Sequence, residues 1–250
     1  MQGAKAELAV ALGALGLMGT FALLPPVGAF QSRAAVTVAS VVLALVAWVR
    51  SGPSAAIAVV TAATTLGELF GLPSFLALPA AVGALALVAR TRPELGVVRM
   101  PRGRVPVAAT IACAAVTPVA LFGWVALLRP DLHDLEALVP KAEPWLLLVG
   151  GAVFALWNAL AEEWVWRGVI QSRLAAFTAV PIAIVLQAAS FGVGHAHGFP
   201  RGAVGMLLAG VWAIMLGALR ARAGGLLAPV LSHLVADATI AFVLVTRARL

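Results

Sequence analysis

The sequence predicts an all-α integral membrane protein, a polytopic bundle of about eight transmembrane helices. Hydrophobic residues make up 62% of the 250-residue chain, whereas a soluble domain contains about 45–50%. Charged residues make up 11%, against about 25% in soluble domains. A mean hydropathy of +1.04 agrees with both observations. The chain is therefore expected to be a multi-pass protein of the cell membrane, with the lipid bilayer as its first partner.

Apolar runs separated by glycine, proline and arginine define the expected helices. A spanning helix needs about 20 mostly apolar residues. We expect spans near residues 7–29, 34–49, 54–71, 74–89, 105–128, 145–175, 180–197, 203–219 and 226–246. Nine is the literal count of these runs. Eight follows if one of the two shorter runs, the second or the fourth, is re-entrant.

We attribute the formal net charge of +7 to orientation in the membrane rather than to nucleic-acid binding, because the arginines lie mostly between apolar runs. The loop 90–104 is rich in arginine, and the loop 129–143 is mainly acidic. The positive-inside rule places the loop 90–104 in the cytoplasm. With nine spans, Arg247 and Arg249 then lie outside, which the same rule disfavours.

The arginine-rich loop also divides the chain into two parts. Residues 1–104 comprise the N-terminal helices and the loop, and their one acid inside an apolar run is Glu68, for which the sequence suggests no partner. Residues 105–250 contain all four histidines and the other acids that lie inside apolar runs. We therefore expect the chemistry in the C-terminal part.

The most informative stretch places Glu162, Glu163 and Arg167 inside an apolar segment. Ionisable groups at membrane depth cost roughly 2.5–3.5 kcal/mol each, and they usually mark functional sites. On a helix, Glu163 and Arg167 are i and i+4 in the favourable acid-first order, which predicts a structural ion pair. Glu162 points about 100° away from Glu163 and is left for another role.

Helix geometry brings other polar residues to the same depth. With a turn at 176–180, Glu162 and His195 each lie roughly 21–22 Å along their helices from that turn. His233 and Asp237 are i and i+4 in the last apolar segment, so they share one face. Three helices can thus direct acid and imidazole groups at one central volume.

These residues form three motifs in order: Glu162-Glu163-x-x-x-Arg167, Phe191-x-x-x-His195 and His233-x-x-x-Asp237. Over about residues 150–240 the chain resembles the CPBP family, the CAAX-protease and bacteriocin-processing (Abi) proteins, which are intramembrane endopeptidases. One position differs, since Asp237 stands where the family often has asparagine.

The resemblance implies a site and a reaction. Glu162 would activate a water, His195 would orient that water, and His233 would stabilise the oxyanion. Asp237 would orient His233 or carry a proton itself. Glu163, Arg167 and Phe191 would support the site.

The same resemblance leaves the cofactor open, because family members are described both as metalloproteases and as metal-independent glutamic proteases. Glu162, His195, His233 and Asp237 could hold a divalent metal such as zinc, which commonly takes histidine and carboxylate ligands. No HExxH motif occurs, and we favour the metal-free mechanism.

Two other functions are compatible with the same residues. The acids and histidines could form the relay of a proton-coupled carrier, although the chain shows no internal repeat of the kind many carriers have. A non-catalytic membrane scaffold or immunity protein of the same family would bind a partner without cutting it. The protease prediction implies a peptide or protein substrate, and no nucleic acid.

Overall fold

The computed structural model describes residues 2–50, 52–91 and 102–249, and this part of the chain is helical with no β-strand. The helices are α1 (Gln2–Leu23), α2 (Phe30–Arg50), α3 (Ser54–Leu69), α4 (Ser74–Thr91), α5 (Val107–Leu128), α6 (His133–Glu136), α7 (Pro144–Glu163), α8 (Ser172–Leu174), α9 (Val180–Gly194), α10 (Gly202–Ala223) and α11 (Leu227–Arg247). Between α7 and α8 the chain continues as a π-helical segment, Trp164–Gln171. The predicted all-α class is confirmed.

Within the described residues, seven helical stretches are long and apolar enough to cross a membrane, and this confirms a polytopic helical membrane protein. Two apolar helices are shorter, α3 with 16 residues and α9 with 15. At 1.5 Å per residue they are roughly 22–24 Å long, against about 30 Å for the hydrocarbon core. Every predicted run contains a helix.

The expectation about which runs are short was wrong. The second and fourth runs form helices of 21 and 18 residues, α2 and α4. These helices extend into the polar residues that flank each apolar run, so the length of the run underestimates the helix. By contrast, α9 ends at Gly194, before the apolar run does, because the chain turns there.

Helix ends form where the sequence offers a suitable terminator or cap. Gly224 follows α10 with a φ of 68°, a conformation that glycine adopts without a Cβ clash. Pro144 lies in the first turn of α7, where its missing N–H breaks no helical hydrogen bond. Glu7 caps α3, since its Oε2 accepts hydrogen bonds from the Ser54 backbone N–H at 2.9 Å and hydroxyl at 2.7 Å.

The largest buried cluster connects the N-terminal helices to the helices that carry the predicted site. It combines side chains of α1–α4 with Val165 and Ile170 of the π segment, Ala188 of α9 and Ala213 of α10. Many of its members are alanines, which let membrane helices approach closely. The predicted division at residue 104 stays a prediction, and most of the arginine-rich loop, residues 92–101, lies outside the described residues.

The two ends of the bundle are held by different contacts. At one end, the Arg104 backbone N–H donates to the Ala223 carbonyl at 2.8 Å, next to the turn between α10 and α11. At the other end, Arg247 Nε donates to Glu136 Oε1 at 2.5 Å. Orientation in the membrane stays a prediction.

Candidate functional site

The two adjacent glutamates lie where α7 ends and the π segment begins. Glu163 is fully buried, whereas Glu162 keeps 16% of its side chain exposed. The i→i+5 hydrogen bonding of a π segment is rare and occurs frequently at functional sites. The sequence predicted a continuous α-helix here, because apolar spacing over eight residues does not separate the two helix types.

The predicted contact between Glu163 and Arg167 is present, with Nη1 of Arg167 donating to Oε1 of Glu163 at 2.7 Å. Arg167 is fully buried, its Nη2 donates to the Ala213 carbonyl at 3.4 Å, and its guanidinium carbon lies 4.8 Å from the centre of the Phe191 ring. The same oxygen of Glu163 also lies 2.7 Å from Nδ1 of His233. The structural pair is therefore joined directly to the predicted oxyanion donor.

His233 is surrounded by three carboxyl groups. Its Nδ1–H donates to Glu163, which fixes the ring, and its Nε2 lies 3.4 Å from Oε2 of Glu162. Oδ2 of Asp237 is 3.7 Å from the same nitrogen, too far for a good hydrogen bond. The nearest carboxyl group to His233 is thus that of Glu163, and the role of Asp237 stays a prediction. Carboxylate oxygens thus face both ring nitrogens of His233.

Asn158 is a site residue that the sequence reasoning missed. Its amide Nδ2 donates to Oε1 of Glu162 at 3.1 Å and to Oδ2 of Asp237 at 3.2 Å. Asn158 is buried and lies one helical turn before Glu162, at i and i+4. The sequence did contain a signal for Asn158, namely an amide side chain four residues before Glu162 inside an apolar segment. Its second bond, to residue 237, could not be read from spacing because the two residues are far apart in sequence.

His195 caps the C-terminus of α9, and the turn between α8 and α9 falls at the predicted place. Its Nδ1 lies 3.0 Å from the Phe191 carbonyl oxygen. Donation to that carbonyl puts the proton on Nδ1 and leaves Nε2 as an acceptor. The His195 ring packs on the Phe191 ring with centroids 4.6 Å apart, and Phe191 in turn meets His233 edge-on at 6.2 Å. Phe191 therefore separates and supports the two imidazoles.

Trp212 of α10 is a second residue that no motif indicated. Its ring meets the His233 ring edge-on, with centroids 4.8 Å apart, and it also contacts Phe191 at 6.3 Å. The indole N–H is buried and has no hydrogen-bond partner among the described residues. Trp212 and Phe191 together restrict the motion of the imidazole that Glu163 orients.

The four residues predicted as possible metal ligands do not form a metal site as they stand. Among the residues that the structure describes, no three His, Cys, Asp or Glu side chains are arranged to hold a metal ion. Nδ1 of His233 is hydrogen-bonded to Glu163, and Oδ2 of Asp237 accepts a hydrogen bond from Asn158, so both atoms already have partners. The metal-free mechanism stays a prediction.

Fold and site together define a polytopic helical membrane protein with an acid and imidazole centre inside its helix bundle. The centre is assembled from α7 with its π segment, the C-terminus of α9, and α11. Its charged residues are mostly buried, with Glu163, Arg167, His233 and Asp237 all at 2% exposure or less.

A comparison with protein families found a match in the C-terminal part of the chain. The model of the family described as "Rce1-like: Type II CAAX prenyl endopeptidase Rce1-like", within the CPBP family, matches residues 144–239. This segment contains all three motifs, so the predicted resemblance is confirmed there, and it points to a protease. The search of curated proteins and the search of solved structures each found no match.

Proposed function

We propose that the protein is an intramembrane endopeptidase that hydrolyses a peptide bond in a membrane-associated protein or peptide. The observation that carries the proposal is the different exposure of the carboxyl groups around His233. Glu162 keeps 16% of its side chain exposed, whereas Glu163 and Asp237 keep 0% and 2%. Glu162 is therefore the carboxylate that can reach a water and a substrate.

In the first step Glu162 acts as general base. Its carboxylate takes a proton from water, and the water oxygen forms a bond to the carbonyl carbon of the peptide. The π bond of the carbonyl breaks, and its electron pair moves to the carbonyl oxygen, which becomes the oxyanion. Nε2 of His195 is an acceptor in the tautomer that the Phe191 carbonyl selects, so it can orient the same water. The low dielectric of the bundle strengthens these interactions relative to water.

In the second step the tetrahedral intermediate collapses. Nε2–H of His233, on the side that faces Glu162, donates to the oxyanion while it exists. The carbon–nitrogen bond breaks, and the proton held by Glu162 passes to the leaving amine. Glu162 returns to its carboxylate form, so the cycle needs no further reactant.

The test uses the purified full-length protein in proteoliposomes with a library of membrane-tethered peptides, and mass spectrometry of the products. Wild type is expected to cut at least one peptide, and Glu162→Ala is expected to cut none. Glu68→Ala is the matched control, because Glu68 is also a carboxylate of an apolar helix but its partner is Arg33, away from the site. This control is expected to cleave at the wild-type rate.

Two results would favour the other candidate functions. A wild-type protein that cuts no peptide, together with pH-dependent flux across the vesicle that Glu162→Ala abolishes, would support the proton-coupled carrier. Peptide binding that survives in Glu162→Ala, without cleavage by either protein, would support the non-catalytic scaffold. Cleavage that persists in Glu162→Ala would remove Glu162 from the role of base.

A further inference from the structure

The amide of Asn158 occupies a position that connects two helices of the site. Asn158 and Glu162 belong to α7, and Asp237 belongs to α11. One Nδ2 atom donates to Oε1 of Glu162 at 3.1 Å and to Oδ2 of Asp237 at 3.2 Å. An amide nitrogen carries two hydrogens, so both bonds can exist together.

Electrostatics explains why an amide, rather than another residue, suits this position. Glu162 and Asp237 both approach Nε2 of His233, at 3.4 Å and 3.7 Å. Two carboxyl groups converging on one nitrogen repel each other unless donors lie between them. A neutral amide supplies two donors there without adding a charge to a buried site.

The geometry points to Asn158 as a positioning residue that holds the general base Glu162 against Asp237 and leaves its second oxygen directed at His233. This inference rests on the proposed function for its kinetic consequences. The contact uses Oε1 of Glu162, while Oε2 faces His233. Asn158 therefore fixes the rotation of the carboxylate and does not itself touch the reacting atoms.

The kinetic test compares Asn158→Leu, which keeps the branched shape of the side chain and removes both donors, with wild type on a peptide that wild type cuts. We expect kcat to fall on the order of 100-fold with KM changed less than about threefold, because a misplaced base slows the chemical step rather than binding. Asn158→Gln, which keeps the amide, is expected to recover part of the lost rate.

The matched control is Trp157→Phe, one residue away on the same turn of α7. It also removes one side-chain hydrogen bond, from Nε1 of Trp157 to the Phe75 carbonyl at 2.8 Å, on the face away from the site. It is expected to lower the unfolding temperature slightly and to leave kcat unchanged. If Asn158→Leu also lowers only the unfolding temperature and leaves kcat unchanged, Asn158 is a structural residue and the inference is overturned.

A second measurement needs no substrate. Carbodiimides modify protonated carboxyl groups in apolar surroundings, and peptide mass spectrometry locates the product on Glu162. Asn158→Leu is expected to raise the rate of modification about tenfold, since the Glu162 side chain loses the hydrogen bond that holds it and becomes more accessible to the reagent. An unchanged rate would overturn the inference. Absence of cleavage by wild type would overturn only the proposed function, because the labelling result still decides the role of Asn158.

Discussion

Within the described residues, two ion pairs between arginine and glutamate have both partners in apolar helices, one pair in each half of the chain. Arg33 of α2 and Glu68 of α3 are 3.4 Å apart, and 12% and 22% of their side chains are exposed. Arg167 and Glu163 are 2.7 Å apart, and neither is exposed. The sequence offered a partner for Glu163 at i+4, but none for Glu68, whose partner lies 35 residues away.

The two ion pairs also differ in the residues that surround them. Arg33 also lies over the Phe21 ring at 4.0 Å and donates to the Leu24 carbonyl, so its other contacts are within its own half of the bundle. Glu163 shares one oxygen between Arg167 and His233. The first pair connects two helices, whereas the second connects the scaffold to an imidazole. A change at the second pair should therefore alter both stability and activity.

The largest effect is expected from Glu163→Ala. Removing one partner of a fully buried ion pair costs about 3–5 kcal/mol, because the other charge stays buried without compensation. The variant also leaves Nδ1 of His233 without its acceptor. We expect little folded protein, measured by yield and by the thermal unfolding midpoint in detergent. A variant that unfolds at the wild-type temperature would show that Arg167 finds other partners.

The second-largest effect is expected from a variant of His233 that lowers the catalytic rate without a large loss of stability. His233→Gln is expected to lower kcat on the order of 100- to 1000-fold, the typical cost of removing an oxyanion donor. The glutamine amide can still donate to Glu163, so the unfolding midpoint should change little. Measurement of kcat for peptide cleavage and of the midpoint separates the two contributions. Equal losses in both would indicate that His233 is mainly structural.

The Arg33–Glu68 pair should tolerate replacement by apolar residues. Glu68→Leu alone leaves the Arg33 charge partly buried and is expected to cost about 1–3 kcal/mol. Adding Arg33→Met should recover most of this loss, since apolar replacement of a whole buried pair is often neutral. The unfolding midpoints of the single and double variants test this. The equivalent replacement of Glu163 and Arg167 should not recover cleavage.

A smaller effect is expected at an exposed pair on the end of the bundle. Arg201 donates to both oxygens of Asp134, and its guanidinium holds the pKa of that carboxyl below its usual range. A lowered pKa contributes stability above the unfolded-state value, about 3.9, and this is lost as the pH falls through the folded-state value. Asp134→Asn should therefore lower the unfolding midpoint at pH 7 and have less effect in acid.

The size of that effect is limited by solvent. Asp134 has 64% of its side chain exposed, so the pair is worth less than about 1 kcal/mol. Asp131→Asn is the control, because Arg201 contacts only the backbone carbonyl of Asp131. A midpoint difference between Asp134→Asn and wild type that does not shrink as the pH falls would contradict the assignment.

The smallest expected effect is that of a chelator. Peptide cleavage by protein stripped of metal should equal cleavage before stripping, in line with the metal-free mechanism proposed here. Analysis of bound metal by mass spectrometry before and after treatment provides the control. Loss of cleavage that returns on addition of zinc would show instead that a metal takes part.

Sequence reasoning anticipated much of the fold because membrane helices follow apolar runs of spanning length. It also anticipated the Glu163–Arg167 contact, which depends only on local helix geometry. It did not anticipate Asn158, Trp212 or the second partner of Glu163, which depend on how helices distant in sequence pack together. The π segment was missed because its hydrogen-bond register has no compositional sign.

The π segment has a consequence for how the length of this chain can change. Its register places one more residue in the turn after Glu163 than an α-helix would, over Trp164–Gln171. Deleting a single residue there would convert the wide turn to an ordinary α-helical turn and keep the later residues on nearly the same face, whereas inserting a further residue would rotate all that follows by about 100° relative to Glu162. After such an insertion, Arg167 or Gln171 would face lipid instead of the bundle. This short stretch should therefore tolerate the loss of one residue better than the gain of one.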